Sequence, residues 1–263
     1  MPTDLKISLI VPCYNEEANI HAGTLEKIGT FTQNDDRFGE VLLVDDGSSD
    51  KSKQLIKEVY LPKFPKIRLI ENNHSGKAFA IITGIRNSTF GYVMFTDFDL
   101  ATPLEESEKL ISGINEGYNV VIGSRSTNRE GAPFTRKVTA LGFIILRNLI
   151  IGLNGITDTQ CGFKIFEKNV ALEVIDKLRV FKEEHVISTP SVSAGFDIEF
   201  LYIAKQLGCK IKEVPVIWHH VTTERVSFLR DALETIQDII KIRLNSLSNG
   251  YDFAKKKYLV DML

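Results

Sequence analysis

Two carboxylates separated by one aromatic, Asp97 and Asp99, follow an apolar run in "YVMFTDFDLATP" at 92–103. Acidic side chains are seldom fully buried without a partner. Two this close repel unless a cation or a proton intervenes. Mg2+ and Mn2+ favour hard oxygens, often one or two carboxylates plus substrate phosphates. The pair therefore suggests a metal that neutralises a diphosphate. An ordinary Asp-rich turn capping the next helix is the competing explanation. A second cluster, "VDDGSSD" at 44–50, holds Asp45 and Asp46. Helix capping accounts for Ser49 or Asp50 but does not require Asp45. A carboxylate at such a place can accept from a base N–H or a ribose hydroxyl. In "NHSGKAFA" Lys77 falls at a helix start. The helix dipole disfavours a cation there, which points to an anion such as phosphate. A solvated lysine is the alternative.

These residues need a frame that brings them together. "KISLIVPCYN", "EVLLVDDGSSD", "KIRLIENN", "GYVMFTDFDL" and "NVVIGSR" read as strands alternating with segments of helical spacing. Strands rich in Val, Ile and Leu on both faces suit a parallel sheet covered by helices. Such sheets bind ligands beyond the carboxyl ends of their strands. The polar clusters fall at those ends, strand after strand, which decides for a site over scattered turns. The second half predicts a helix in "FTRKVTALGFIILRNLIIGL", then loop, short strand and helix in "DTQCGFKIFEKNVALEVIDKL". A helix in "SAGFDIEFLYIAKQLG", a strand in "CKIKEVPVIWHH" and a long helix from Ser227 follow.

Composition is that of a globular chain: 263 residues, 43% hydrophobic, 25% charged, net charge −2. That charge gives no pull toward nucleic acid. Cys13, Cys161 and Cys209 are widely spaced, with no metal or disulfide pattern, which suits a reducing cytoplasm. The first apolar run is too short for a signal peptide, and the longest later run is broken by Arg147 and Asn148. The expectation is a cytoplasmic protein without a membrane span, at most peripheral on a membrane. GxGxxG after the first strand, GxxxxGK[ST] and GxSxG are missing, which disfavours dinucleotide oxidoreductases, P-loop hydrolases and serine hydrolases.

Taken in order, "VPCYNEE", "VDDGSSD", "GKAFA", "DFD" and "GSR" resemble the family 2 inverting glycosyltransferases of the GT-A fold, over about residues 6–220. "DTQCGFK", "FDIEFLYIA" and "EVPVIW" are similar to the dolichyl-phosphate glucosyltransferase branch. The resemblance implies an α/β GT-A fold: a Rossmann-like, mostly parallel sheet flanked by helices, with a C-terminal helical extension. It divides the chain into a transferase domain, 1–225, and an amphipathic helix and tail, 226–263. By the same resemblance Pro12, Tyr14, Glu16 and Asp45 line the nucleotide pocket. Lys77 and Asp97 contact the nucleotide, and Asp99, with Asp97, holds Mg2+ or Mn2+. Arg125 and Arg136 face donor or acceptor phosphates, and Arg225 lies near the diphosphate. Asp158, Gln160 and Asp197 border the sugar. The implied donor is a UDP-hexose and the acceptor a polyprenyl or dolichyl phosphate. A glutamine that helps hold metal in mannosyltransferase relatives is Ala101 here, which favours glucose. The membrane segments of eukaryotic and bacterial members are not read in this sequence. A hydroxyl acceptor, with Asp197 as base, is the alternative. For the segment from Ser227 to Lys257, core packing and a membrane-interface helix both stand open.

Overall fold

The computed structural model describes residues 5–125, 134–181, 194–219 and 228–253, without side chains at 134–141, 194 and 228–232. The elements follow in this order: β1 (Ile7–Cys13), α1 (Glu17–His21), α2 (Thr24–Asn34), β2 (Phe38–Asp45) and α3 (Ser52–Leu55). A π-helical stretch (Ile56–Tyr60) links α3 to α4 (Leu61–Lys63), ahead of β3 (Ile67–Glu71), α5 (Lys77–Asn87) and β4 (Tyr92–Phe95). Next come α6 (Ser107–Asn115), β5 (Val120–Arg125), α7 (Phe134–Ile151), β6 (Lys164–Glu167) and α8 (Lys168–Lys177). The described chain closes with α9 (Ala194–Gln206), β7 (Ile211–Val216) and α10 (Phe228–Leu247).

The seven strands form one sheet in the order β3-β2-β1-β4-β6-β5-β7. Six run parallel, and β6 enters antiparallel between β4 and β5. The five strands read from the first half therefore all end at one edge, as their polar clusters imply. Strand order reverses at β1/β4, the switch point where such sheets take ligands.

Period-two alternation divides the core between two faces. Leu9, Val11, Val41, Leu43 and Met94 pack on one side, and Ile10, Leu42, Val44, Val93 and Phe95 on the other. The second side also receives Ile239 and Ile242 of α10, both fully buried, and α10 packs on α7 and α9. Core packing thus holds for one face of that helix.

Helix α5 crosses β1 closely at Gly84, where an added Cβ would fall 2.4 Å from Ile10 Cγ2. Ile10 is fully buried and has no room to move. Gly84→Ala should therefore cost about 1–3 kcal/mol by overpacking. A lower urea midpoint at unchanged slope would register it.

Candidate active site

The loops after β1, β2 and β3 are tied to one another by side chains. Asn15, in the left-handed region at φ 54°, donates its N–H to Ser48 Oγ at 3.0 Å. Its Oδ1 accepts from Ser49 N at 2.8 Å. Glu16 N donates to Ser52 Oγ, and Glu17 N to Asp50 Oδ2. Asp46 serves as a second tie: its oxygens accept from Ser75 N and Gly76 N, and its Oδ2 meets His74 Nδ1 at 2.8 Å. The His74 ring stacks on Tyr14 at 4.2 Å. Asp45, at the end of β2, is fully buried. Its Oδ2 accepts from Ser48 N, while its Oδ1 has no hydrogen-bond partner among the described residues. A buried carboxylate oxygen left open suits an N–H or O–H donor from a ligand.

Among the described residues the centre of the edge holds four carboxylates and three cations. Lys77 pairs with Asp97, Arg125 with Asp158, and Lys164 with Asp197. Lys77, expected from sequence to meet an anion or solvent, meets the Asp97 carboxylate. Burial alone would lower the Lys77 ammonium and raise the Asp97 carboxyl, but each one's charge overrides that for the other, so both stay ionised. Arg125 grips Asp158 three times, through its backbone N–H (3.0 Å), Nε (2.7 Å) and Nη2 (2.8 Å). Burial would raise the Asp158 carboxyl, yet Arg125 holds it below the usual carboxylate range. The Arg125 guanidinium also lies over the Trp218 ring, 5.9 Å from its centroid.

Asp99 is the fourth carboxylate. Its Oδ1 accepts from Ala101 N at 3.0 Å, and among the described residues no side-chain cation pairs with it. Burial first, then the neighbouring Asp97 charge, push its carboxyl above the ordinary range. Three closed pairs and one open, half-buried carboxylate leave a surplus negative charge. That hard-oxygen donor set fits Mg2+ or Mn2+ with substrate phosphates completing the shell. Among the described residues no cluster of three His, Cys, Asp or Glu side chains offers a protein-only metal site.

The loop 152–163 carries Asp158 and is held by residues not singled out as functional from sequence. Glu213 of β7 accepts from Thr157 N and Asp158 N, both at 2.7 Å. Arg147 of α7, buried, donates to Thr159 Oγ1 and to the carbonyl of Ile156. Gln160 N donates to Asp158 Oδ1 at 3.2 Å. Cys161 is buried, and burial pushes its thiol up to about 11, as expected of a packed residue. The backbone of Arg136 lies on α7 without a described side chain, and Arg225 falls outside the described residues. Pro12, Tyr14 and Glu16 sit at the exit of β1, on the same edge.

An edge with an open carboxylate beside charged pairs, after parallel strands, is a place for a ligand. The pattern of glycosyl transferase family 2 matches residues 8–174. The chain belongs to this family. It is a glycosyltransferase. A dolichyl-phosphate beta-glucosyltransferase of Trichomonas vaginalis is 32% identical, covering 92% of this chain and 74% of that protein. Its counterparts in Saccharomyces cerevisiae and Homo sapiens are each 28% identical, over 96% and 94% of this chain and 78% and 77% of theirs. Among solved structures, mannosyl-3-phosphoglycerate synthase from Rubrobacter xylanophilus superposes with a TM-score of 0.65 at 14% identity, covering 93% of this chain and 75% of that one. Glucosyl-3-phosphoglycerate synthase from Mycobacterium tuberculosis, with Mn2+, UDP and phosphoglyceric acid, superposes at 0.64 and 19% identity, covering 90% and 78%. These likenesses establish the GT-A fold for this glycosyltransferase.

Proposed function

We propose that this glycosyltransferase moves glucose from UDP-glucose to a polyprenyl phosphate, dolichyl phosphate in eukaryotes, with inversion at the anomeric carbon. The observation that carries the reading is similarity along 92–96% of the chain to dolichyl-phosphate beta-glucosyltransferases. Residues 1–225 would perform transfer, and the amphipathic helix and tail, 226–263, would meet the lipid through the helix's exposed side.

Asp45 is proposed to accept from an N–H of the base through its open Oδ1. Asp99, with Asp97 beside it, would hold Mg2+ or Mn2+, which when bound supplies positive charge for the departing diphosphate. Lys77 keeps Asp97 ionised and oriented. A phosphate monoester, with a second pKa of about 6, is already an ionised nucleophile at neutral pH. It needs no strong base, but it needs cations to approach a second anion. Arg136 and Arg225 are assigned that part, because a planar fork suits phosphate. Lys164 already occupies one oxygen of Asp197, which favours a holding role for Asp197 over a base.

Nucleoside diphosphate release is the test, with UDP-glucose or GDP-mannose and with or without polyprenyl phosphate. Release from UDP-glucose that depends on the lipid phosphate is expected. Release requiring a soluble sugar or peptide hydroxyl instead would move the enzyme to the hydroxyl-acceptor class, with Asp197 as base.

Among the described residues no helix is long and apolar enough to cross a membrane. Two packed helices nevertheless expose apolar side chains: Leu149 (80%) and Ile145 on α7, and Leu233, Leu244 and Leu247 (68%) on α10. Exposed Lys241 and Arg243 lie on α10 among them. We assign this face to the surface of an anionic bilayer, where the acceptor resides. The protein should sediment with anionic vesicles at low salt and leave them at high salt. Leu149→Glu with Leu247→Glu should weaken that binding and leave UDP affinity unchanged; sedimentation equal to wild type would sink the assignment.

A further inference from the structure

Lys164 opens β6, the one antiparallel strand, and its side chain is 1% exposed. Burying an ammonium is costly, and an apolar residue of like volume is often as stable or more so. The ammonium is nonetheless fully engaged. It donates to Asp197 Oδ1 at 2.6 Å and to the Cys161 carbonyl at 2.6 Å. It also lies over the Phe95 ring, 5.3 Å from the centroid. Those three contacts belong to the first turn of α9, the loop before β6, and the end of β4. Between Cys161 and Lys164 sits Gly162. A Cβ there would fall 2.4 Å from both carboxylate oxygens of Asp97. The loop backbone that Lys164 holds is therefore the wall against which Asp97 rests. Its charge reaches further, helping to keep Asp97 and Asp158 ionised.

We propose that Lys164 is a positioning residue for glycosyl transfer: its buried ammonium clamps the Cys161–Gly162 backbone and Asp197 together, and so sets where Asp97 faces the reacting centre. Lys164 does not touch substrate at 1% exposure; it acts through these neighbours. The inference rests on the β4 edge being the transfer site, but not on the identity of the donor or the acceptor.

The experiment uses the full chain and whichever nucleotide sugar wild type accepts, so failure of UDP-glucose would sink the donor reading alone. Lys164→Met should lower kcat by about 100-fold, the scale of an ångström's misplacement. KM and nucleotide affinity should stay within about threefold, since binding contacts remain. Amide exchange should quicken at 160–163 and 194–199 and stay unchanged in β1 to β3. A second substitution, Asp197→Asn, in the Lys164→Met background should cost no more than about a further threefold, because the two act as one unit. Unchanged kcat, a rise confined to KM, or fully additive losses would each overturn the proposal. Should Lys164→Met fail to fold, Lys164→Arg decides, since it keeps the charge and alters the contact geometry. A folded Arg variant with reduced kcat and unchanged KM supports the clamp; wild-type kcat overturns it.

Discussion

Asp99→Asn is expected to cut metal-dependent transfer by about 10³-fold, the scale of losing one electrostatic stabiliser of the leaving group. Stability should hardly change, since half-buried Asp99 makes one backbone hydrogen bond that an amide oxygen can replace. The physical reason is charge. Asp97, Asp158 and Asp197 each have a cation, and Asp99 has none among the described residues. Its carboxyl is raised by burial and by Asp97, so the folded protein binds that proton more tightly than the unfolded chain. Without metal, this group therefore adds stability at low pH and loses it as pH rises through its raised value. Metal binding needs the ionised form and expels the proton. Apparent metal affinity should then fall on the acid side, beginning above the ordinary Asp value of about 3.9. Titrating activity with Mn2+ at several pH values between about 5 and 8 checks this. The Asn variant should lose the metal response and its pH dependence together. Wild-type rates with an unchanged metal response would remove Asp99 from the metal site.

Much of the frame was readable because burial on both faces leaves a strong mark. Runs such as "VLLV" and "LIV" have no polar face, so they suit only strands covered by helices on both sides. The common edge was readable because β1 to β4 are each followed by polar residues that need hydrogen-bonding or ionic partners. The direction of β6 was not readable, since four residues, "KIFE", say nothing of which neighbour they join. Nor was the pairing of charges. Lys77 and Asp97 are 20 positions apart, Arg125 and Asp158 are 33, as are Lys164 and Asp197. Only the folded edge sets which cation meets which carboxylate. That is why Lys77 read as awaiting an anion or solvent. Lys164 passed unnoticed for the same reason: inside "GFKIF" it has the look of a strand-end lysine. Asp46 and Asn15 lay within quoted motifs, but their work is to bind one loop to the next, which spacing cannot reveal. For helix α10 the core reading holds on one face, and the interfacial reading of its other face is a proposal. Ile239 and Ile242 enter the core while Leu244 and Leu247 stay outside, so one apolar stripe served two faces.

Arg125→Ala should be the most damaging single change at the site for stability, costing about 3–5 kcal/mol, because it strands a buried carboxylate. The resemblance placed Arg125 against substrate phosphate, whereas its backbone and side chain together give Asp158 three hydrogen bonds. Burial would raise the Asp158 carboxyl, and Arg125 instead holds it low. A depressed carboxyl contributes its stability above the unfolded value and loses it only as pH falls through the folded one. The pair's contribution should therefore be constant from neutral pH down to about 5 and fade only below about 4. Denaturant midpoints across that range test the sign. Arg125→Lys should recover part of the stability, since a point charge cannot reproduce the two-pronged grip. The double change Arg125→Met with Asp158→Leu removes both charges and should regain most of the stability, as apolar replacements of buried pairs often do. Transfer should stay lost in that variant, because the loop's carboxylate at the edge is gone while the fold is kept. If Arg125→Ala instead leaves stability intact and weakens UDP binding, the guanidinium serves phosphate in solution, and its grip on Asp158 is what the arriving nucleotide must break.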